Sequence, residues 1–168
     1  MTKRYEMNGL IDDDKLRDLL WFLQNEVPES CEELEVRICS HGGSVSVGLA
    51  MAGLLHDLPI RVRTVNLSRV DSSAIMIFAA GDERVCYSHS GFFLHEVGKE
   101  CSGTKTIRDL LKMVKEIKFD TNRVISFLAY RTGIDSEHWK SYMDNGVLLT
   151  ADKAVELGLA TKIITHEP

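Results

Sequence analysis

Leu34-Glu-Val-Arg-Ile-Cys39 runs straight into Ser40-His41-Gly42-Gly43-Ser44, and an apolar stretch containing Val47, Leu49, Ala50, Leu54 and Leu55 follows at once. Alternation of apolar and polar residues marks the first segment as a strand, because successive side chains of a strand point to opposite faces. The apolar stretch reads as a buried helix. The two glycines between them permit the unusual φ/ψ values of a tight strand-to-helix junction and let backbone N–H groups face a ligand. The same alternation continues downstream. Ile60–Leu67 reads as a strand, Ser72–Ala80 (closed by Gly81) as a short buried helix, and Val85–Tyr87 and Phe92–Leu94 as short strands. Upstream, Asp12–Asp14 are acidic N-cap candidates ahead of Leu16, Leu19, Leu20 and Leu23, and Pro28 falls just past the end of that helix. Thr150–Leu157 forms a last helix with Gly158 as its C-cap, before a terminal strand Ala160–Ile164. Alternating strands and helices are the pattern of an α/β fold.

The composition is that of a single globular domain spanning residues 1–168. The chain carries 20 Lys+Arg against 25 Asp+Glu, a net charge of −5, with 44% apolar and 27% charged residues, which rules out a disordered chain. A chain of this length buries roughly 70% of its unfolded surface, enough for a real core. Mild acidity argues against a nucleic-acid binder, which would carry a basic stripe. The longest apolar run, Ala74–Ala80, falls far short of the ~20 residues of a spanning helix, so no membrane association is expected. Residues 1–9 lack the apolar core of a signal peptide, and the expected location is cytoplasmic. Cys31, Cys39, Cys86 and Cys101 form no C-x-x-C pair, no His lies at metal-finger spacing from them, and His56, His89, His138 and His166 are scattered. Zinc is therefore not expected, the thiols read as reduced, and no cofactor or phosphate-loop signature is present.

After Gly103 the period changes. Ile107, Leu110, Leu111, Val114, Ile117, Val124, Ile125 and Leu128 recur at helical spacing with Lys and Asp between them, giving one long amphipathic helix over about 104–132. It is either a core helix lying across the sheet or an arm that packs against another subunit.

Chemistry can live at two strand-to-helix junctions. One is the Gly42-Gly43 turn. The other is Asp71-Ser72-Ser73-Ala74, which opens an apolar helix. A Ser at a helix start is commonly a cap, but the same place suits a nucleophile, because helix N–H groups stabilise negative charge on a bound carbonyl oxygen. His95, at the end of Phe92-Phe93-Leu94, is a candidate general base or a hydrogen-bonded structural residue.

The ordered set Gly43-Ser44 with an apolar helix, Ser72 before Ala79-Ala80-Gly81, an apolar residue two before His95, and Thr150-Ala-Asp-Lys-Ala-Val-Glu-Leu-Gly-Leu159 resembles the proteolytic subunit of the ATP-dependent Clp protease, from about Tyr5 to Ile164. The resemblance implies a crotonase-like β-spiral, ClpP-like, with a long handle helix that interlocks rings. It implies a serine endopeptidase in which Ser72 is the nucleophile, His95 the general base, and the backbone N–H groups of Gly43 and Ser73 the oxyanion hole. The family's third triad member, an acid, falls on Gly146; Asp144, two residues upstream in the same expected loop, is the substitute. Asp71 is a second departure, since an anion before the nucleophile opposes a developing oxyanion unless it faces away or meets a cation such as Arg69. The resemblance further implies a peptide or unfolded-polypeptide substrate, a homo-oligomeric ring (heptameric or tetradecameric) and an AAA+ unfoldase as candidate partner, although the family's N-terminal segment finds no room before Tyr5. Two other readings compete: an inactive structural or regulatory subunit of the same family, and an acyl-CoA enzyme of the wider crotonase superfamily.

Overall fold

The computed structural model describes residues 1–165; His166 lies outside them. Its elements are β1 (Thr2–Ile11), α1 (Asp13–Asn25), β2 (Glu33–Gly43), α2 (Val45–His56), β3 (Arg61–Asp71), α3 (Ala74–Ala79), β4 (Glu83–Tyr87), β5 (Gly91–Leu94), α4 (Ile107–Thr132), α5 (Ser136–Asn145), β6 (Val147–Thr150), α6 (Ala151–Glu156) and β7 (Lys162–Ile164). β1-β2-β3-β4-β7 form a parallel path, as strands returned to the same end by intervening chain must. β5 and β6 lie off that path: β5 pairs with β3 in parallel and with β6 antiparallel.

Period-two patterning separates the two faces of this sheet. Leu34, Val36 and Ile38 are fully buried. The alternate residues Glu33, Glu35 and Arg37 join an ion-pair ladder across strands, with Arg4 on Glu35 at 2.8 Å, Arg63 on Glu35 at 2.6 Å and Arg61 on Glu83 at 2.8 Å. The caps follow from residue type. Asp12 accepts from the Lys15 N–H at 2.9 Å to start α1, and Thr106 with Asp109 closes a capping box on α4.

Three elements lay hidden in the sequence. β1 buries Tyr5, Met7 and Ile11 on one face, but Gly9 takes the in-phase position between Met7 and Ile11 and the apolar Leu10 is exposed, which masks the alternation. α5 packs Trp139 and Met143, one turn apart, into the core, and β6 follows its Gly146 cap. β2 is longer than its alternation suggests, because it runs through His41 to Gly43 while paired to β1.

α3 is the innermost element, with all six residues buried. Its terminal carbonyls find no water, so side chains must supply donors. Arg131 donates to the oxygens of Ala79, Ala80 and Gly81 at 2.7, 3.2 and 2.8 Å. Arg84 adds bonds to the oxygens of Gly81, Gly158 and Leu159 at 3.0, 3.0 and 2.8 Å. Burial and the nearby Arg131 lower the Arg84 pKa, the cost of placing two guanidinium groups at one buried helix end. Arg131→Met should cost about 3 kcal/mol by stranding these carbonyls, lowering Tm by roughly 5–10 °C in a thermal melt.

Candidate active site

The nucleophile candidate stands where β3 changes partners. Arg63–Asn66 pair with β4, whereas Arg69–Asp71 pair with Gly91–Phe93 of β5. A register shift in the β2–β3 pairing between Ile38 and Ser40 accompanies the change and re-aims the strand ends. β5 thus runs beside the end of β3, and His95 follows it directly. Ser72 donates its N–H to the Phe93 oxygen at 2.9 Å. It adopts φ 52°, the only positive φ at a non-glycine residue among those described. For a residue with a Cβ such a backbone stores about 1–3 kcal/mol and persists only where its surroundings over-determine it.

The Gly42-Gly43 pair owes its composition to close approach. A Cβ at Gly42 would lie 2.7 Å from Ser72 Cβ and 2.8 Å from the Asp71 oxygen; one at Gly43 would lie 2.3 Å from the Ile11 oxygen. β2 therefore ends wedged between β1 and the Ser72 turn. Ser40 braces it, donating its hydroxyl to the Gly9 oxygen at 2.6 Å and accepting the Gly42 N–H at 3.0 Å.

Ser72 and His95 line the same small cleft. Its other walls are apolar and come from separate elements: Val45, Leu94, Val124 and Met143. Ser73 also borders it, and the Ser73 hydroxyl is buried without a hydrogen-bond partner. His95 Nδ1 lies 2.7 Å from the Glu96 carbonyl oxygen. A carbonyl only accepts, so Nδ1–H is the donor, and in the neutral imidazole this bond leaves on Nε2 the lone pair a general base needs. Phe93 stacks on the His95 ring with centroids 5.4 Å apart.

Asp144 is not brought onto His95. It sits in the last turn of α5 rather than in a loop, half-exposed, and accepts from Lys140 at 2.5 Å. The i,i+4 spacing of that pair on a helix face accounts for the contact. Gly146 ends α5 in the left-handed conformation, φ 63°, and a Cβ on it would meet only the Phe93 ring, at 3.9 Å.

Asp71 resolves otherwise than as an uncompensated anion. Its side chain is 5% exposed and fully engaged. Oδ1 accepts the Phe93 N–H at 2.9 Å and Arg69 Nε at 3.1 Å; Oδ2 accepts Arg69 Nη2 at 3.0 Å and His41 Nδ1 at 2.8 Å. The His41 contact was invisible in the sequence. Its only trace is that His41 and Asp71 end neighbouring parallel strands, which a topology is needed to reveal.

This sheet, with its β3–β5 switch and long α4 helix, has the fold of a solved Clp proteolytic subunit. The solved structure of a ClpP1 point mutant from Listeria monocytogenes superposes with a TM-score of 0.86 over 98% of this chain and 92% of that one, at 20% identity. A model of the Clp protease family matches residues 8–167, and the chain belongs to that family. It is also 28% identical over 149 residues to ATP-dependent Clp protease proteolytic subunit 1 of Gloeobacter violaceus, spanning 88% of this chain and 74% of the relative. No helix among the described residues is long and apolar enough to cross a membrane.

Proposed function

We propose that this chain is a serine endopeptidase that cleaves peptides or unfolded polypeptide through an acyl-enzyme, with Ser72 as nucleophile and His95 as general base. The observation that carries the reading is the strained Ser72 sharing an apolar cleft with a His95 whose Nδ1 proton is committed to Glu96. His95 Nε2 takes the Ser72 hydroxyl proton as Oγ attacks the peptide carbonyl. The tetrahedral oxyanion takes hydrogen bonds from the Gly43 and Ser73 backbone N–H groups. Collapse breaks the C–N bond, and the leaving amine receives the proton from His95. Water, deprotonated by the same imidazole, then releases the acyl group. Asp144 stays outside this scheme while Lys140 holds it. The apolar cleft walls favour substrates with an apolar side chain next to the scissile bond.

A fluorophosphonate probe tests the reading directly: wild type should be labelled on Ser72 and Ser72→Ala should not. Absence of Ser72-dependent labelling in every assembly state would end the peptidase reading.

The handle helix supports an oligomer. Val124, Ile125 and Leu128 of α4 are buried, but Ile107, Leu110, Leu111 and Val114 are 78%, 48%, 58% and 47% exposed on the preceding turns. An apolar stripe of this length left in water calls for a partner surface, and a second copy of this chain in a ring supplies it. Sedimentation at micromolar concentration should show multimers of the 18.9 kDa chain; a monomer alone would sink the ring. The four free cysteines suit a reducing compartment such as the cytoplasm. An AAA+ unfoldase remains the candidate partner for delivering folded substrates.

A further inference from the structure

We propose that Asp71 is the positioning residue of this site: a buried carboxylate that ties together the three strand ends carrying the Gly42-Gly43 turn, Ser72 and His95. The inference rests on the reading of Ser72 and His95 as the catalytic pair and extends it.

Each strand end reaches the same carboxylate. His41, directly before Gly42, comes from β2 and donates to Oδ2 at 2.8 Å. Arg69 comes from β3 and spans both oxygens, at 3.1 and 3.0 Å. The Phe93 N–H comes from β5, two residues before His95, and donates to Oδ1 at 2.9 Å. The Phe93 carbonyl meanwhile receives the Ser72 N–H at 2.9 Å, so both backbone polar groups of Phe93 are spent on the Asp71-Ser72 turn. β5 pairs with β3 over three residues only, with Asp71 opposite Phe93, and the Asp71 carboxylate adds side-chain bonds to that short ladder.

Charge favours the arrangement. The Arg69 guanidinium meets the carboxylate at both oxygens, and a bidentate pair of this kind is strong and directional. His41 is 85% exposed and Arg69 40% exposed, against 5% for Asp71, so the cluster has a wet rim and a dry centre. None of Asp71, Arg69 and His41 lines the cleft that Ser72 and His95 share. A further consequence concerns the orienting acid that a Ser-His pair ordinarily has. Among the described residues no carboxylate hydrogen-bonds to His95, whose Nδ1 is on Glu96. Asp71 takes over part of that work by fixing the strand that leads to the imidazole rather than the imidazole itself.

The test compares Asp71→Ala, Asp71→Asn and His41→Ala with Leu19→Ala, a fully buried truncation on α1 that lowers stability without touching the cluster. Two readouts are taken well below each variant's Tm. Hydrogen exchange on the full chain should accelerate at least tenfold in Asp71→Ala in all three segments 41–44, 71–74 and 92–96, and Leu19→Ala should not single them out. Peptide turnover by Asp71→Ala should show kcat at least tenfold lower with KM within twofold. Asp71→Asn, which keeps an acceptor for the Phe93 N–H, should recover part of that loss. Should Asp71→Ala fail to fold, His41→Ala (a change at an exposed side chain) should still speed exchange at 71–74. Exchange rising only around residue 71, or kcat equal to wild type in folded Asp71→Ala, would overturn the proposal. A wild type that no fluorophosphonate labels at Ser72 would remove the peptidase reading, and the exchange comparison would still decide whether Asp71 couples the three segments.

Discussion

Ser72→Gly and Ser72→Ala should both lose peptide turnover by about 10³-fold or more, yet the glycine variant should be the more stable of the two by about 1 kcal/mol. The activity loss follows from removing the hydroxyl that the proposed mechanism uses to form the acyl-enzyme. The stability difference follows from φ 52°, which glycine adopts freely and alanine does not. Glycine gives back part of the gain through its larger unfolded-state entropy, which is why the expected margin is small. Urea unfolding of the two variants measures it, and turnover of a fluorogenic peptide with an apolar residue at the cleavage point measures the rest. Equal stabilities would mean that the Ser72 turn is not strained. Turnover surviving in either variant would mean that hydrolysis runs through another residue.

Gly146→Asp should raise kcat at least tenfold. β5 and β6 pair antiparallel, with Leu94 opposite Val147. Continuing that register by one step sets His95 opposite Gly146, and cross-strand neighbours stand about 5 Å apart at Cβ. A carboxylate there would compete with the Glu96 carbonyl for the Nδ1 proton and stabilise the imidazolium that forms as Ser72 attacks. Loss of such an acid from a working triad costs about 10⁴-fold, so regaining a fraction of it is a measurable gain. Space permits the change, since the new Cβ meets only the Phe93 ring at 3.9 Å. The backbone is the cost: φ 63° penalises any side chain, although Asp tolerates it better than most. Asp144→Asn, by contrast, should leave kcat within about twofold, because that carboxylate is engaged by Lys140. An unchanged Gly146→Asp together with a tenfold loss in Asp144→Asn would reverse the assignment and place Asp144 on His95 in the working enzyme.

Legibility in the sequence tracked how local the cause was. The β2 strand, the α2 helix, the Asp12 cap of α1 and the handle helix all follow from residue periodicity and capping chemistry within a dozen positions. The handle was expected over about 104–132 and is found at Ile107–Thr132, because Thr106 and Gly133 are strong start and stop signals. β1 escaped because Gly9 leaves a gap in its buried series of Tyr5, Met7 and Ile11 and the apolar Leu10 faces outward. α5 escaped because its polar surface hides a buried pair, Trp139 and Met143, too short to register as a period.

By itself the sequence determined the α/β class, the family and the candidate pair Ser72 and His95, since these rest on short-range patterns and on the order of motifs along the chain. Tertiary structure alone decided what surrounds that pair. The split pairing of β3 brings β5, and with it His95, to the Ser72 turn. Helix geometry takes Asp144 to Lys140. Three strand ends converge on Asp71, turning an apparent liability into a tie. Hydrogen bonds to a buried carboxylate depend on which strands are neighbours, and strand neighbourhood is a property of the folded sheet rather than of any window of residues.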